Sequence, residues 1–215
     1  ISTIAYSSFF NLFEALSTQS CNSILIPLEN SIGGAIASVL DLFTCYDNLN
    51  LIAEYTMPID CCLFSRSDVR PEQITDIVSH PQPISQCAQY LHQHYPNATL
   101  HQASSTTDAV DILNKSTATV MAVIGHHHLA DLYQLNLIAE SIQDNPNNVT
   151  RFGLVSTADQ ASQEISTKTS IVCSPKHDEP GSLFALLRYF NDATVNLTQI
   201  TSRPTKNKLG EYLFF

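Results

Sequence analysis

Short apolar runs alternate with amphipathic ones from about residue 24 to residue 133, and this repeat constrains the fold more than any other feature of the chain. The apolar runs have strand length. The amphipathic runs place apolar side chains at helical spacing, as Ile36, Val39, Leu40 and Phe43 do. Strands are expected at 24–27, 74–78, 98–102 and 120–124, and helices at 35–43, 84–91, 108–113 and 129–133. The long extended run 51–64 is expected to cross between two lobes. Such alternation predicts an α/β fold with a mostly parallel sheet flanked by helices. Ligands of such sheets lie beyond the carboxyl ends of the strands. Short polar motifs directly after a strand are therefore where function is sought.

The repeat breaks at 156–167, a polar stretch without apolar periodicity that reads as a linker. A second unit is expected from Lys168, with strands at 169–173 and 195–200 around a helix at 181–190. The length, 215 residues, accommodates one large domain or two small ones. Charged residues make up only 14% and the formal net charge is −10, so nucleic acid is excluded as a partner, because phosphate neutralisation needs clustered Lys and Arg. A carboxylate ligand is not excluded, since a few local donors suffice. None of the six cysteines forms a C-x-x-C pair. All six are expected to be reduced, with Cys61, Cys62 and Cys173 as small core residues, as in a cytoplasmic protein. No apolar run is long enough to span a bilayer, and the first residues carry no signal-peptide pattern.

Four motifs follow predicted strands. In Pro27-Leu28-Glu29-Asn30-Ser31-Ile32-Gly33-Gly34, Glu29 and Asn30 can present a carboxylate and an amide, and the glycines let backbone approach a ligand. The N–H groups of the helix expected after Ser31 suit an anion, although a turn with a helix cap is the plainer reading. In Ser79-His80-Pro81-Gln82-Pro83-Ile84-Ser85-Gln86-Cys87, Pro83 fits a first helical turn and Gln86 can project toward the same strand ends. His80 is either an acid–base group or structural. In Ser104-Ser105-Thr106-Thr107-Asp108, Ser105 and Asp108 have capping-box spacing, and the hydroxyls either cap a helix or bind a carboxylate. Asn147-Asn148-Val149-Thr150-Arg151-Phe152 sets a hydroxyl beside a guanidinium, a donor beside a bidentate carboxylate clamp, unless it is an ordinary strand with an exposed arginine. His126-His127-His128 has the side chains of a metal site, but consecutive residues on a helix point apart, so no metal is expected there.

The runs Pro27 to Ser31, Ser79 to Gln82 with Gln86-Cys87, Ser105-Thr106 and Asn148 to Phe152, in this order, resemble the motifs of prephenate dehydratases. Downstream, Glu179-Pro180-Gly181-Ser182-Leu183-Phe184 and Thr201-Ser202-Arg203-Pro204 resemble the two ligand-binding motifs of that family's ACT domain. The resemblance spans nearly the whole chain. It departs where Tyr6 runs directly into Ser7-Ser8-Phe9-Phe10 without the family's glycine-rich loop, and where Thr201 stands in place of the usual glutamate. The ACT portion also stops short of its last helix and strand.

The resemblance implies a catalytic domain at 1–157 with two lobes, like those of periplasmic binding proteins, around a cleft, followed by a partial ferredoxin-like (βαββαβ) ACT unit at 168–215. It implies loss of carbon dioxide and the ring hydroxyl from prephenate, giving phenylpyruvate for phenylalanine biosynthesis, with no metal or organic cofactor. Thr150 is then the donor to the departing hydroxyl, with Glu29 as the alternative acid if burial raises its pKa. Asn30 and Gln86 orient the substrate, which Ser31, Ser105, Thr106, Arg151 and Phe152 contact. Gly181, Ser182, Leu183, Asn196, Ser202 and Arg203 are expected to hold phenylalanine as an inhibitor, in a cytoplasmic homodimer or tetramer that has no membrane partner. An arogenate dehydratase and a catalytically silent amino-acid-binding regulator are the alternatives.

Overall fold

The computed structural model describes residues 2–66, 69–116, 120–157, 168–175, 179–206 and 208–215. Along the chain run α1 (Phe9–Ser17), β1 (Ser23–Asn30), β2 (Gly34–Ala35), α2 (Ala37–Phe43), β3 (Leu49–Pro58), β4 (Cys62–Ser65) and β5 (Asp76–Ser79). Then come α3 (Pro81–Gln86), α4 (Ala88–His94), β6 (Thr99–Gln102), α5 (Thr106–Lys115), β7 (Met121–Gly125), α6 (Leu129–Tyr133) and β8 (Asn136–Ala139). The last elements are β9 (Val149–Thr157), α7 (Ser182–Asp192), β10 (Ser202–Pro204) and β11 (Tyr212–Phe214). The chain divides into two compact units, Ile1–Met57 with Thr150–Phe215, and Pro58–Val149. No described helix is long and apolar enough to cross a membrane.

The first unit is built on a four-stranded sheet, in the order β2-β1-β9-β3. β1 keeps the two-residue period of a strand with one covered face: Ile24, Ile26, Leu28 and Asn30 are buried. The apolar three pack with Phe13 and Leu16 of α1, Val39 of α2 and Val155 of β9. Phe13 is completely buried, which is worth about 1.5–3 kcal/mol for a side chain of this kind. Helix α1 was not foreseen from the sequence. Ser8 starts it by accepting the Asn11 N–H at 3.2 Å.

The C-terminal part of this unit differs from expectation. The helix forms as α7, but none of its residues is buried. The strands expected at 169–173 and 195–200 do not form. Cys173 makes a single bridge to Phe214, and Asn196 lies in no strand. The only ladder here among the described residues is the β10–β11 pair. A strand needs a neighbour for its backbone groups, and 195–200 has none in the described part. Cys173 is half-buried rather than a core residue. Of the expected linker, residues 158–167 lie outside the described residues, and Ser156 and Thr157 end β9.

The second unit holds a five-stranded sheet, β6-β5-β7-β4-β8. Only β5, β6 and β7 are parallel to one another, while β4 runs antiparallel to both β7 and β8. The expected mostly parallel sheet is therefore mixed. Parallel neighbours require a crossover, and α3–α4 and α5 supply crossovers only between β5 and β7. Every residue of β4 and β7 is buried, because the sheet carries a core on each face. Cys62, Phe64, Val78 and Val123 belong to one core with Leu113; Leu63, Ile77, Ala122 and Ile124 belong to the other with Leu91. Cys61 and Cys62 are buried in different cores, and all six cysteines are free. The expected helix 84–91 is two helices that meet at Cys87.

Candidate active site

The β1–β9 ladder brings Asn30 and Thr150 together from 120 positions apart. Its register shifts between Pro27 and Glu29, so Leu28 is an extra residue on β1, at the point where Pro27 has no N–H to offer. Beyond this bulge Asn30 stands opposite Thr150, and Glu29 opposite Arg151. Asn30 and Thr150 are both buried. The Asn30 side-chain oxygen accepts the backbone N–H groups of Ile32 and Gly33 at 3.0 and 2.9 Å. Those two donors fix the direction of the amide, so its Nδ2 donates to Thr150 Oγ1 at 3.0 Å. A hydroxyl oxygen that accepts this bond directs its own proton to another acceptor.

Ser31 is in a hairpin turn between β1 and β2, which Gly34 closes at φ +72°. The helix expected at 35–43 forms as α2 from Ala37, so five residues separate Ser31 from its first turn.

Arg151 is engaged by side chains of its own unit. Its Nη1 donates to Glu54 Oε1 at 2.6 Å, and its Nη2 to Glu29 Oε2 at 2.9 Å and Gln199 Oε1 at 2.6 Å. Lys168 adds a bond to Glu54 Oε2 at 2.8 Å. Burial pushes the Glu54 carboxyl up, but Lys168 and Arg151 together hold it below its ordinary value. Successive strand residues face opposite sides of a sheet. Thr150 and Arg151 therefore do not stand side by side in one site, and the guanidinium is already engaged by three side chains. Glu29, the alternative acid, belongs to this ionic group. Phe152 is half-buried opposite Pro27.

In the second unit the expected residues sit at helix ends. Ser105 is the N-cap of α5, where its Oγ accepts the Asp108 N–H at 3.0 Å. Asp108 Oδ2 in turn accepts the N–H and the hydroxyl of Ser104, both at 2.8 Å, which lowers the pKa of Asp108. Thr106 opens the helix, half-buried against Gly125. His80 caps α3 by accepting the Gln82 N–H at 3.3 Å, which is the structural reading of that residue. Gln86 ends α3 half-buried, its carbonyl bound to the Asp144 N–H at 2.7 Å.

Among the residues expected to hold phenylalanine, Gly181 stands before α7 at φ +93°, a conformation in which a larger side chain is strained. Ser182 Oγ accepts the Glu179 N–H at 3.1 Å, Leu183 is half-buried, and Asn196 and Ser202 are exposed. Arg203 is committed elsewhere. Its Nε and Nη2 grip the Asp41 carboxylate at 2.7 and 3.1 Å, beside Lys206 at 2.7 Å. The Arg203 hydrogen bond holds the Asp41 carboxyl at about 2. The sequence reading missed Asp41, Glu54, Lys168 and Gln199. Only Glu54 carried a signal, as a charge inside the apolar run 51–64.

The α/β architecture thus carries a buried hydroxyl aligned by an amide and an ionic hub in the first unit, and capped helix ends on a mixed sheet in the second. The sequence profile described as prephenate dehydratase matches residues 1–160. A prephenate dehydratase of Methanocaldococcus jannaschii is 32% identical over 209 residues, 97% of this chain and 74% of that protein. Arogenate dehydratase 1 of Petunia hybrida is 32% identical over 197 residues, 91% of this chain and 46% of that protein. The crystal structure of an Arthrobacter aurescens prephenate dehydratase in complex with L-Phe superposes with a TM-score of 0.85 at 32% identity, covering 98% of this chain and 70% of that one. The chain belongs to the prephenate dehydratase family, and it is an enzyme of that activity.

Proposed function

We propose that the chain converts prephenate to phenylpyruvate with Thr150 as the donor to the departing hydroxyl. The observation that carries this role is the buried Thr150 hydroxyl, whose oxygen accepts from Asn30 and whose proton is therefore directed elsewhere. In the reaction the bond to the ring carboxylate breaks and releases carbon dioxide. Its electron pair enters the ring, and the ring C–O bond breaks so that the hydroxyl leaves, with a proton, as water. Aromatisation drives these changes, so the protein need only orient the substrate and assist the leaving group. A threonine hydroxyl is a weak acid. Thr150 gives a hydrogen bond to the departing oxygen, and water carries the proton.

In this reading Asn30 aligns Thr150, and Arg151 holds Glu29 and Glu54 in place behind the ladder. Ser31, Gln86, Ser105, Thr106 and Phe152 keep the substrate contacts that the family motifs assign. Residues 1–157 make the catalytic domain and residues 168–215 an ACT-type sensor. The L-Phe complex of the Arthrobacter aurescens relative supports phenylalanine as the effector. Gly181, Ser182, Leu183, Asn196 and Ser202 receive it, and Arg203 joins them only by leaving Asp41. The exposure of Phe184, Tyr189, Val195 and Ile200 supports assembly of this part with another copy, in a cytoplasmic dimer or tetramer.

The Petunia hybrida relative favours a second reading, in which arogenate is the substrate. Steady-state turnover of both compounds, with and without phenylalanine, separates the two. Turnover of prephenate that millimolar phenylalanine suppresses is the expected result. Turnover of arogenate alone selects the second reading. Turnover of neither would leave only an amino-acid-binding role.

A further inference from the structure

The expectation that His126, His127 and His128 bind no metal assumed a helix. β7 ends at Gly125 and α6 starts at Leu129, so the three histidines occupy the turn between them. There their rings gather. Neighbouring ring centroids are 4.0–4.1 Å apart, His126 and His128 are 4.9 Å apart, and potential ligand nitrogens of all three lie within 4.8 Å of one another. The backbone beneath is tied down, because the carbonyls of His126, His127 and His128 accept the N–H groups of Leu129, Ala130 and Leu132 at 3.0, 3.3 and 3.1 Å. Gly125 packs against Leu129 and Thr106 with no room for a Cβ.

We propose that His126, His127 and His128 bind one divalent transition-metal ion of borderline softness, such as Zn2+. Three neutral imidazoles and no thiolate suit Zn2+, Ni2+ or Co2+, whereas Mg2+ and Ca2+ require oxygen ligands. Nitrogens around a tetrahedral ion at ordinary Zn–N length stand about 3.3 Å apart, so the ligand atoms need to close by at most roughly 1.5 Å from the spacing seen here. The side chains of His127 and His128 are exposed and can rotate to do so. Three protein ligands leave a fourth position for water. The site does not rest on the substrate reading above.

The test uses the full chain after chelator treatment, titrated with Zn2+ by calorimetry and with Co2+ by visible absorption. One ion per chain with micromolar affinity is expected. The His127→Gln/His128→Gln double variant should lose about tenfold or more in affinity. Both residues are exposed, so the far-UV circular dichroism should be unchanged. No uptake by the unmodified chain at millimolar Zn2+ overturns the proposal. So does a double variant that binds as tightly as the unmodified chain, since the ion would then sit elsewhere.

Discussion

The residues around Thr150 and those around Ser105 are positioned by opposite means. The bonds that bring the first group together join distant parts of the chain, Asn30 to Thr150, Glu29 and Glu54 to Arg151, Gln199 to Arg151, and only the orientation of the Asn30 amide is set locally, by Ile32 and Gly33. Every bond that sets Ser104, Ser105 and His80 reaches four residues or fewer along the chain. A helix end carries unpaired N–H groups wherever it occurs, so a cap can be arranged locally. A strand residue gains its partner only when another strand pairs in a particular register. The first group therefore depends on the whole unit being folded, and the second depends mainly on its own turn.

The largest effect that follows from this contrast is catalytic. Thr150→Ala should lower kcat by about 10²-fold or more, the size expected for loss of a positioned proton or hydrogen-bond donor, with the fold intact. Thr150→Ser should recover part of it. Near-normal kcat in the alanine variant, measured with prephenate, would place the donor elsewhere and remove the reason for the Asn30 pairing.

A smaller effect is expected at the ionic hub. Lysine cannot satisfy Glu29, Glu54 and Gln199 together, because it lacks the planar fork. Arg151→Lys should lose about 1.5–3 kcal/mol in denaturant unfolding, the range for hydrogen bonds to charged groups. If instead KM for prephenate rises while stability is unchanged, Arg151 meets the substrate rather than its neighbours.

Ser105→Ala should cost about 1 kcal/mol, the usual value of an N-cap, and Ser105→Asp should restore it. Stability restored by aspartate without recovery of KM would show that Ser105 serves the substrate as well as the helix.

The smallest effect concerns Asp41. Its carboxyl sits at about 2 against an ordinary 3.8, because Arg203 and Lys206 favour the ionised form. A carboxyl with a lowered folded-state pKa contributes stability that is fully present above pH 3.8 and is lost as pH falls through 2. Asp41→Asn should therefore narrow the loss of stability between pH 5 and pH 2, read by urea midpoints. A variant with the same acid dependence as the unmodified chain would mean that the Arg203–Asp41 contact carries no net stability.

Much of the fold could be anticipated because its signals are local. The apolar periods placed β1, β5, β6, β7, α2, α5 and α6 within a few residues, and the spacing of Ser105 and Asp108 anticipated a cap that forms as expected. The run 51–64 is extended and passes from the first unit to the second, as expected, in the form of β3 and β4. An error arose where one run served two helices: the helix 84–91 proved to be α3 and α4. Periodicity registers apolar spacing but not a break such as that at Cys87.

The sequence by itself determined which residues could carry chemistry and the order in which they occur, since residue type and local spacing are properties of the chain. Tertiary structure alone decided their partners. The bulge at Leu28 set Asn30, rather than Glu29, opposite Thr150. Strand alternation then sent Arg151 to the other face, toward Glu54 and Gln199. A turn in place of a helix gathered three histidine rings. In each case the deciding quantity was strand register or backbone direction, which is fixed by pairing and packing between segments far apart in the chain.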